Sequence, residues 1–380
     1  VRVVYMKYIG FYDSVKNRRI ASLAAVNKMN YICRALDRTG CPVEIISCGM
    51  IAGEAFDKTE ELAEGDIKVR YFKTRKASRF KLIRIYHVLR QNIVLFFYLL
   101  KNVNKKEQVL VYHSLGLMRC VYWAKKIKRF RLILEVEEIY NDVFLKSKAS
   151  RRMEERFIKN ADKYIFPTEL LNQKLNSENK PYVLIHGTYQ VEPDRGERFD
   201  NGKIHVVYAG TFDPQKGGSV AAITAVAWLP EYYHVHILGF GSEKDTKELC
   251  ALIEEINEVS AAKVTYDGLL SGEDYIRFLQ RCQIGLSTQN PDAAFNDTSF
   301  PSKILSYMAN GLRVVTVRIP AIEGSAVGDD VIYYEEQTPE KIAQAILSVD
   351  FGDGYDGRKK IEELNKKFIA ELHELLSGGN

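Results

Sequence analysis

"FPSKILSYMANGLRVVTV", Phe300 to Val317, is the stretch on which the fold turns. Ser299 and Ser302 flank Pro301, and Lys303 follows. An apolar stripe at helical spacing then runs to Gly311, and a β-branched run reads as a buried strand. Upstream, "QIGLST" (Gln283 to Thr288) reads as another strand, joined to this one through "NPDAAFNDTS". Strand, helix, strand is the repeating unit of a parallel sheet. Ligands of open sheets gather beyond the C-terminal strand ends, where this loop and helix start would lie. A helix start offers unpaired N–H groups and partial positive charge. With Ser299, Pro301 in the first turn, Ser302 and Lys303, it makes a phosphate seat. An ordinarily capped helix with a solvated lysine is the plainer alternative.

The same grammar extends outward. "IHVVYAG", "YHVHILG" and "KVTYDG" read as strands, separated by helices over Ser219 to Trp228 and Glu243 to Val259. Each strand is expected to end in a polar or glycine-rich loop on the ligand edge. These are "TFDPQKGG", with Thr211 and Lys216; "GFGSEK", with Gly239, Gly241 and Ser242; and "YDGLLSGEDY", with Tyr266, Asp267 and Gly268. Each loop alone is ordinary turn chemistry; four on one edge carry more weight. "GFGSEK" is only part of a dinucleotide fingerprint.

The first half alternates likewise, from "VRVVYM" and "PVEIIS" through "VLVYH", "RLILEVE" and "KYIFP" to "YVLIHG". A polar, turn-rich linker is expected near 188–202. The class is therefore α/β, with two doubly wound Rossmann-like domains facing each other across a cleft. The expected division is 1–190, 200–357 and a terminal helix, 358–380, packed across a domain surface. The length of 380 residues, too great for one ordinary core, agrees with two domains.

Charge is divided as sharply as the fold. Residues 1–200 carry 38 Lys and Arg against 23 Asp and Glu, or +15; the remainder carry 16 against 26, or −10. The first half is expected to face something anionic. Its basic stretch, Tyr71 to Lys106, mixes Lys73, Arg75, Lys76, Arg79, Lys81, Arg84 and Arg90 with aromatics. An anionic membrane surface or a phosphorylated acceptor fits it, and so does a solvated helix that buries "IVLFFYLL". Nucleic acid is not the expected partner, since zinc spacing and RNP patterns are missing. The N-terminus reads as a strand rather than a secretory leader. Six cysteines without C-x-x-C spacing suggest free thiols and a cytoplasmic setting, peripheral on the inner membrane face if the basic half docks there.

Taken in order, "VVYAGTFDPQKGG", "HILGFGSEK", "VTYDGLLSGEDYIRFLQRCQIGLST" and "FPSKILSYMANGLRVVTV" resemble the C-terminal half of GT-B glycosyltransferases, family 4 and its relatives, over roughly 204–346. The resemblance implies a hexosyl-type enzyme using a nucleotide-diphosphate sugar, with no cofactor and no metal. Lys216, Ser302 and Lys303, with the backbone at Pro301, would seat the diphosphate or ribose. Gly239 to Ser242 and Tyr266 to Gly268 would frame the nucleoside. Gly10, Phe11 and Tyr12 match the N-domain loop that closes over the donor. Two features depart from the family pattern: the paired glutamates are missing near Thr298 and Ser306, and Thr211 or Phe212 replaces an arginine.

Transfer also needs leaving-group stabilisation and a fate for the acceptor proton. His113, Glu137 and Glu138, at two strand ends, are the candidates beside the acceptor or sugar. Of the two glutamates at most one points inward, because strand side chains alternate. Asp329, Asp330, Asp350 and Asp353 read as turn acids rather than a metal site. The expected reaction is sugar transfer to a hydroxyl of a glycan or lipid-linked saccharide. Two other readings remain open: a non-catalytic nucleotide- or glycan-binding module on the same scaffold, and a nicotinamide oxidoreductase.

Overall fold

The computed structural model describes residues 5–13, 19–51, 60–64 (backbone only), 67–74, 76, 79–140, 147–214, 217–293, 296 and 298–378. Lys216 lies outside them. The chain forms two units, Val1–Ile185 with Lys367–Asn380, and His186–Lys366.

In the first unit, most of the strands are largely buried apolar runs. The strands are β1 (Met6–Gly10), β2 (Val43–Ser47), β3 (Glu60–Glu64), β4 (Ile67–Tyr71), β5 (Gln108–Tyr112), β6 (Arg131–Glu135), β7 (Lys163–Phe166) and β8 (Tyr182–Leu184). Their order is β3-β4-β2-β1-β5-β6-β7-β8. All neighbours run parallel except β3 with β4. These two strands have no counterpart in the sequence reading. The charged residues of "IKVRY" alternate with buried Ile67, Val69 and Tyr71, a weaker signal than an all-buried run. The strand order reverses between β1 and β5, so Gly10 and Tyr112 end the two strands of a switch point.

The helix Leu23–Arg38 starts after Ser22 and stops before Gly40, whose φ of 78° favours a residue without a Cβ. The helix Lys81–Asn102 departs from expectation. It buries only His87, Gln91, Leu95 and Leu99. Leu82, Tyr86, Leu89, Ile93 and Phe97 form an exposed stripe, Leu82 at 80% exposure and Phe97 at 63%. Within "IVLFFYLL", Leu95 and Leu99 enter the core and Val94, Phe96 and Tyr98 pack against it, while Ile93 and Phe97 stay exposed. Among the described residues no helix is long and apolar enough to cross a membrane.

The second unit holds β9 (Ile204–Thr211), β10 (Tyr233–Phe240), β11 (Lys263–Gly268), β12 (Ile284–Ser287), β13 (Arg313–Val317) and β14 (Ile332–Tyr334). The order is β11-β10-β9-β12-β13-β14, parallel throughout, and it reverses between β9 and β12. Each unit is thus a doubly wound α/β sheet. The helix Glu243–Val259 opens on a capping box between Ser242 and Asp245. The expected 219–228 helix divides into Gly218–Thr224 and a 3₁₀ turn, Ala225–Trp228. The opening stretch forms the helix Lys303–Ala309 and β13, with Ser302 as N-cap. Pro301 precedes the helix instead of sitting in its first turn. Its carbonyl accepts from the Ile304 N–H at 3.1 Å.

Candidate functional site

The second unit's switch point gathers most of the residues singled out in the sequence. β9 ends at Gly210 and Thr211, and Lys303 reaches this end from the helix start. A Cβ added to Gly210 would lie 3.0 Å from Lys303 Nζ. That ammonium sits 4.1 Å from the centroid of the Tyr208 ring. The Tyr208 hydroxyl in turn fills the space a Cβ would take on Gly218, at 2.7 Å, so the end of the "TFDPQKGG" loop joins the same cluster. Thr288, just beyond β12, donates to the Gly218 carbonyl at 2.7 Å. Burial, helped by Asp213, pushes the Tyr208 phenol up to about 12, which keeps it a donor. Among the described residues at this strand end Lys303 supplies a full positive charge, to which a helix of seven residues adds only a short dipole.

One residue of the motif does different work. Tyr307 stands one helical turn from Lys303 and on the same face. Its hydroxyl accepts from the Ala209 N–H at 2.8 Å and donates to the Leu286 carbonyl at 3.2 Å. Its ring lies across Gly285, where a Cβ would fall 2.3 Å from it. Tyr307 thereby fixes the Lys303 helix against both switch-point strands. The i, i+4 spacing from Lys303 was the available signal. Tyr307→Phe is expected to cost about 1–3 kcal/mol by leaving a buried N–H unpaired. Urea unfolding measures this, and an unchanged midpoint would remove the anchoring role.

Gly239 pairs with Gly210 in the β10–β9 register. Tyr266 donates to the Gly239 carbonyl at 3.1 Å and packs edge-on to Phe212 at 5.5 Å, so these residues line the same edge. A Cβ on Gly241 would touch Phe212 at 2.9 Å. Ser242 spends its hydroxyl on the helix cap, accepting from Asp245 N–H at 3.1 Å. Asp267 turns away from the Tyr266 face: it contacts His236 Nδ1 at 3.0 Å and accepts from Thr265 Oγ1 at 2.9 Å. Gly268 follows with φ 83°. Ser299 and Pro301 are half-buried beside buried Phe300, whose ring meets His186 at 4.9 Å. The Ser302 hydroxyl makes no cap bond. Asp353 pairs with Arg313 at 2.7 Å and Asp330 with Lys360 at 2.8 Å.

The first-unit candidates are less uniform. Phe11 rests over Gly116, while Tyr12 is buried and donates to Asn30 Oδ1 at 2.6 Å. His113 is 1% exposed and flanked by Tyr140 and Phe157. Its Nε2 lies 3.3 Å from Glu154 Oε1. Burial lowers its pKa to about 4, partly offset by the backbone at Glu138, so the ring is neutral. Glu137, half-buried, pairs with Lys28, which also donates to the Ile185 carbonyl at 3.2 Å. Glu138 is half-buried beyond β6. Glu135 lies two residues before Glu137. It is fully buried at the end of β6 and accepts from the Tyr8 hydroxyl. Burial, then the charge of Glu137, holds its carboxyl well above the usual range.

Residues 203–349 match the family model described as "Glycosyl transferases group 1". No significant sequence match to a curated protein was found. Among solved structures, "Trehalose-6-phosphate from E. coli bound with UDP-2-fluoro glucose" aligns with TM-score 0.69 and 12% identity over 98% of both chains. The α,α-trehalose-phosphate synthase (UDP-forming) from Burkholderia vietnamiensis aligns with TM-score 0.67 and 12% identity, over 99% of this chain and 97% of that one. Anabaena Alr3699/HepE in complex with UDP and glucose gives TM-score 0.64 and 14% identity over 99% and 100%. The chain has the GT-B fold. At these identities the likeness is one of fold, and it extends over nearly the whole chain.

Proposed function

We propose that this chain is a hexosyl-type glycosyltransferase. It moves a sugar from a nucleotide-diphosphate sugar to a hydroxyl of a glycan or lipid-linked saccharide, without a metal ion. The observation that carries the proposal is the Lys303 ammonium held against the bare Gly210 backbone at the β9/β12 switch point. The family match covers this region, and two of the similar structures hold UDP or a UDP-sugar. Lys303 would offset charge growing on the leaving diphosphate, and Gly210 and Gly218 let Lys303 and Tyr208 pack against the strand end. Lys216, outside the described residues, would add a second charge. Gly239, Gly241 and Tyr266 would border the nucleoside. The leaving phosphate itself would take the acceptor proton, because the His113 ring is sealed; Glu137 or Glu138 would orient the acceptor.

The burial of His113 also favours a second reading, a nucleotide- or glycan-binding module on the same scaffold. A panel of UDP-, GDP- and ADP-sugars, assayed for nucleotide release and for binding, separates the two. Acceptor-dependent release with one donor supports the transferase. Binding without turnover supports the module.

The reading includes a place of work at the cytoplasmic face of an anionic membrane. The exposed stripe on Lys81–Asn102 continues into Trp123 and Ile127 of the helix Met118–Lys128, with exposed Lys81, Arg84 and Lys126 on the same two helices. Apolar side chains flanked by lysine and arginine suit a headgroup boundary. The chain is expected to float with phosphatidylglycerol vesicles at low salt and to release them in high salt. Leu89→Glu with Phe97→Glu should abolish flotation. Equal flotation with neutral vesicles, or none with either, would remove the membrane from the account.

A further inference from the structure

Three histidines lie on one face of the second sheet, at the end opposite Gly210. His205 and His234 are register partners on β9 and β10, and His236 is two residues further along β10. One ring nitrogen from each falls within 4.8 Å of the other two. Five residues separate His205 from Gly210, about 17 Å along the strand.

The hydrogen bonds fix the tautomers. The Lys203 N–H donates to Asn201 Oδ1 at 3.1 Å, which identifies that atom as the oxygen. The same oxygen lies 2.9 Å from His205 Nε2, so Nε2 carries a proton and Nδ1 a lone pair. Asp267 faces His236 Nδ1 at 3.0 Å, which places the proton there and the lone pair on Nε2. Thr265 donates to Asp267, so it accepts from His234 Nε2 at 3.1 Å and leaves His234 Nδ1 as an acceptor. His205 Nδ1 and His236 Nε2 then face each other at 2.8 Å, lone pair to lone pair. Such a contact needs an electrophile between the two atoms, a proton or a metal ion.

We propose that His205, His234 and His236 form a site for a divalent transition metal of the zinc, cobalt or nickel class. Three imidazoles suit these borderline-soft ions. Asp267 and Asn201, each bonded to the far nitrogen of a ligand ring, are the supports that orient such ligands. Phe199 stacks on His205 at 4.0 Å and His236 at 5.1 Å, and Phe278 closes the wall edge-on. His205 and His236 are buried, while half-buried His234 is the side from which an ion and a fourth ligand, water, arrive. Binding expels the proton shared by His205 and His236 and widens their separation toward the ~3.3 Å of two nitrogens on one tetrahedral zinc.

The test uses the untagged full chain, stripped with EDTA and titrated with Co²⁺ and then Zn²⁺. One equivalent of Co²⁺ should give the d–d absorption of a four-coordinate site, and Zn²⁺ should bleach it. Zinc-edge absorption on the wild type should show three imidazole nitrogens at about 2.0–2.1 Å. His234→Ala should weaken binding at least 100-fold, and Asp267→Asn about 10–100-fold. No stoichiometric binding at micromolar metal, fewer than three imidazoles, or affinity unchanged in His234→Ala would each overturn the site and leave a shared proton.

Discussion

Lys303→Met is expected to lower the rate of sugar transfer by about 10²–10³-fold, the usual loss when one preorganised charge is taken from a developing anion. Methionine keeps the length and most of the packing over Tyr208 while removing the ammonium. The cation–π contribution to stability, about 0.5–2 kcal/mol, should be lost with it. Nucleotide-diphosphate affinity should fall along with the rate. Steady-state kinetics beside a melting curve separate the two effects. A variant with wild-type kinetics would mean that the diphosphate is neutralised elsewhere.

Gly239→Ala should have the largest structural effect of any single methyl in the second unit. The Gly239 φ is 138°, a conformation L side chains rarely adopt, and a Cβ there would lie 1.7 Å from the Gly210 carbonyl oxygen. The obstacle is backbone, so no rotamer relieves it. Either β10 leaves its register with β9 or Gly239 changes conformation, and each displaces the edge that holds Gly210 and Lys303. A loss of more than about 3 kcal/mol is expected, at the high end for overpacking, together with loss of donor binding. Urea unfolding and nucleotide titration of the same preparation are the measurements. A fully stable, binding-competent Gly239→Ala protein would show that the two strand ends are not held this closely.

Much of this was legible in the sequence because β9, β10, β12 and β13 are largely buried on both faces. They read as short apolar runs, their helices are marked by Ser242 and Gly311, and the loops follow from that order. The legible site residues were those whose chemistry is local: a lysine after a capping serine, or a glycine where two backbones meet. Contacts made across the sheet were not legible. Nothing near Gly285 in the chain announces the Tyr307 ring, and nothing near Asp267 announces His236. The sequence treated Asp267 as part of a nucleoside frame; its side chain lies on the other face, bonded to the histidines. His113 looked like a base because it ends a strand, but Phe157 and Tyr140, from distant segments, close over it. The exposed stripe on Lys81–Asn102 was hidden for a similar reason. Periodicity marks an apolar face but not whether a second layer covers it.

One pyrophosphate group is expected at the β9/β12 switch point, between Lys303 and the Gly217–Gly218 backbone. A crystal structure with the nucleotide diphosphate selected by the donor panel tests this most directly. The expected result is a phosphate oxygen within about 2.7–3.2 Å of Lys303 Nζ and another against the Gly218 backbone. A diphosphate bound away from both, or Lys303 directed to a separate surface, would contradict it.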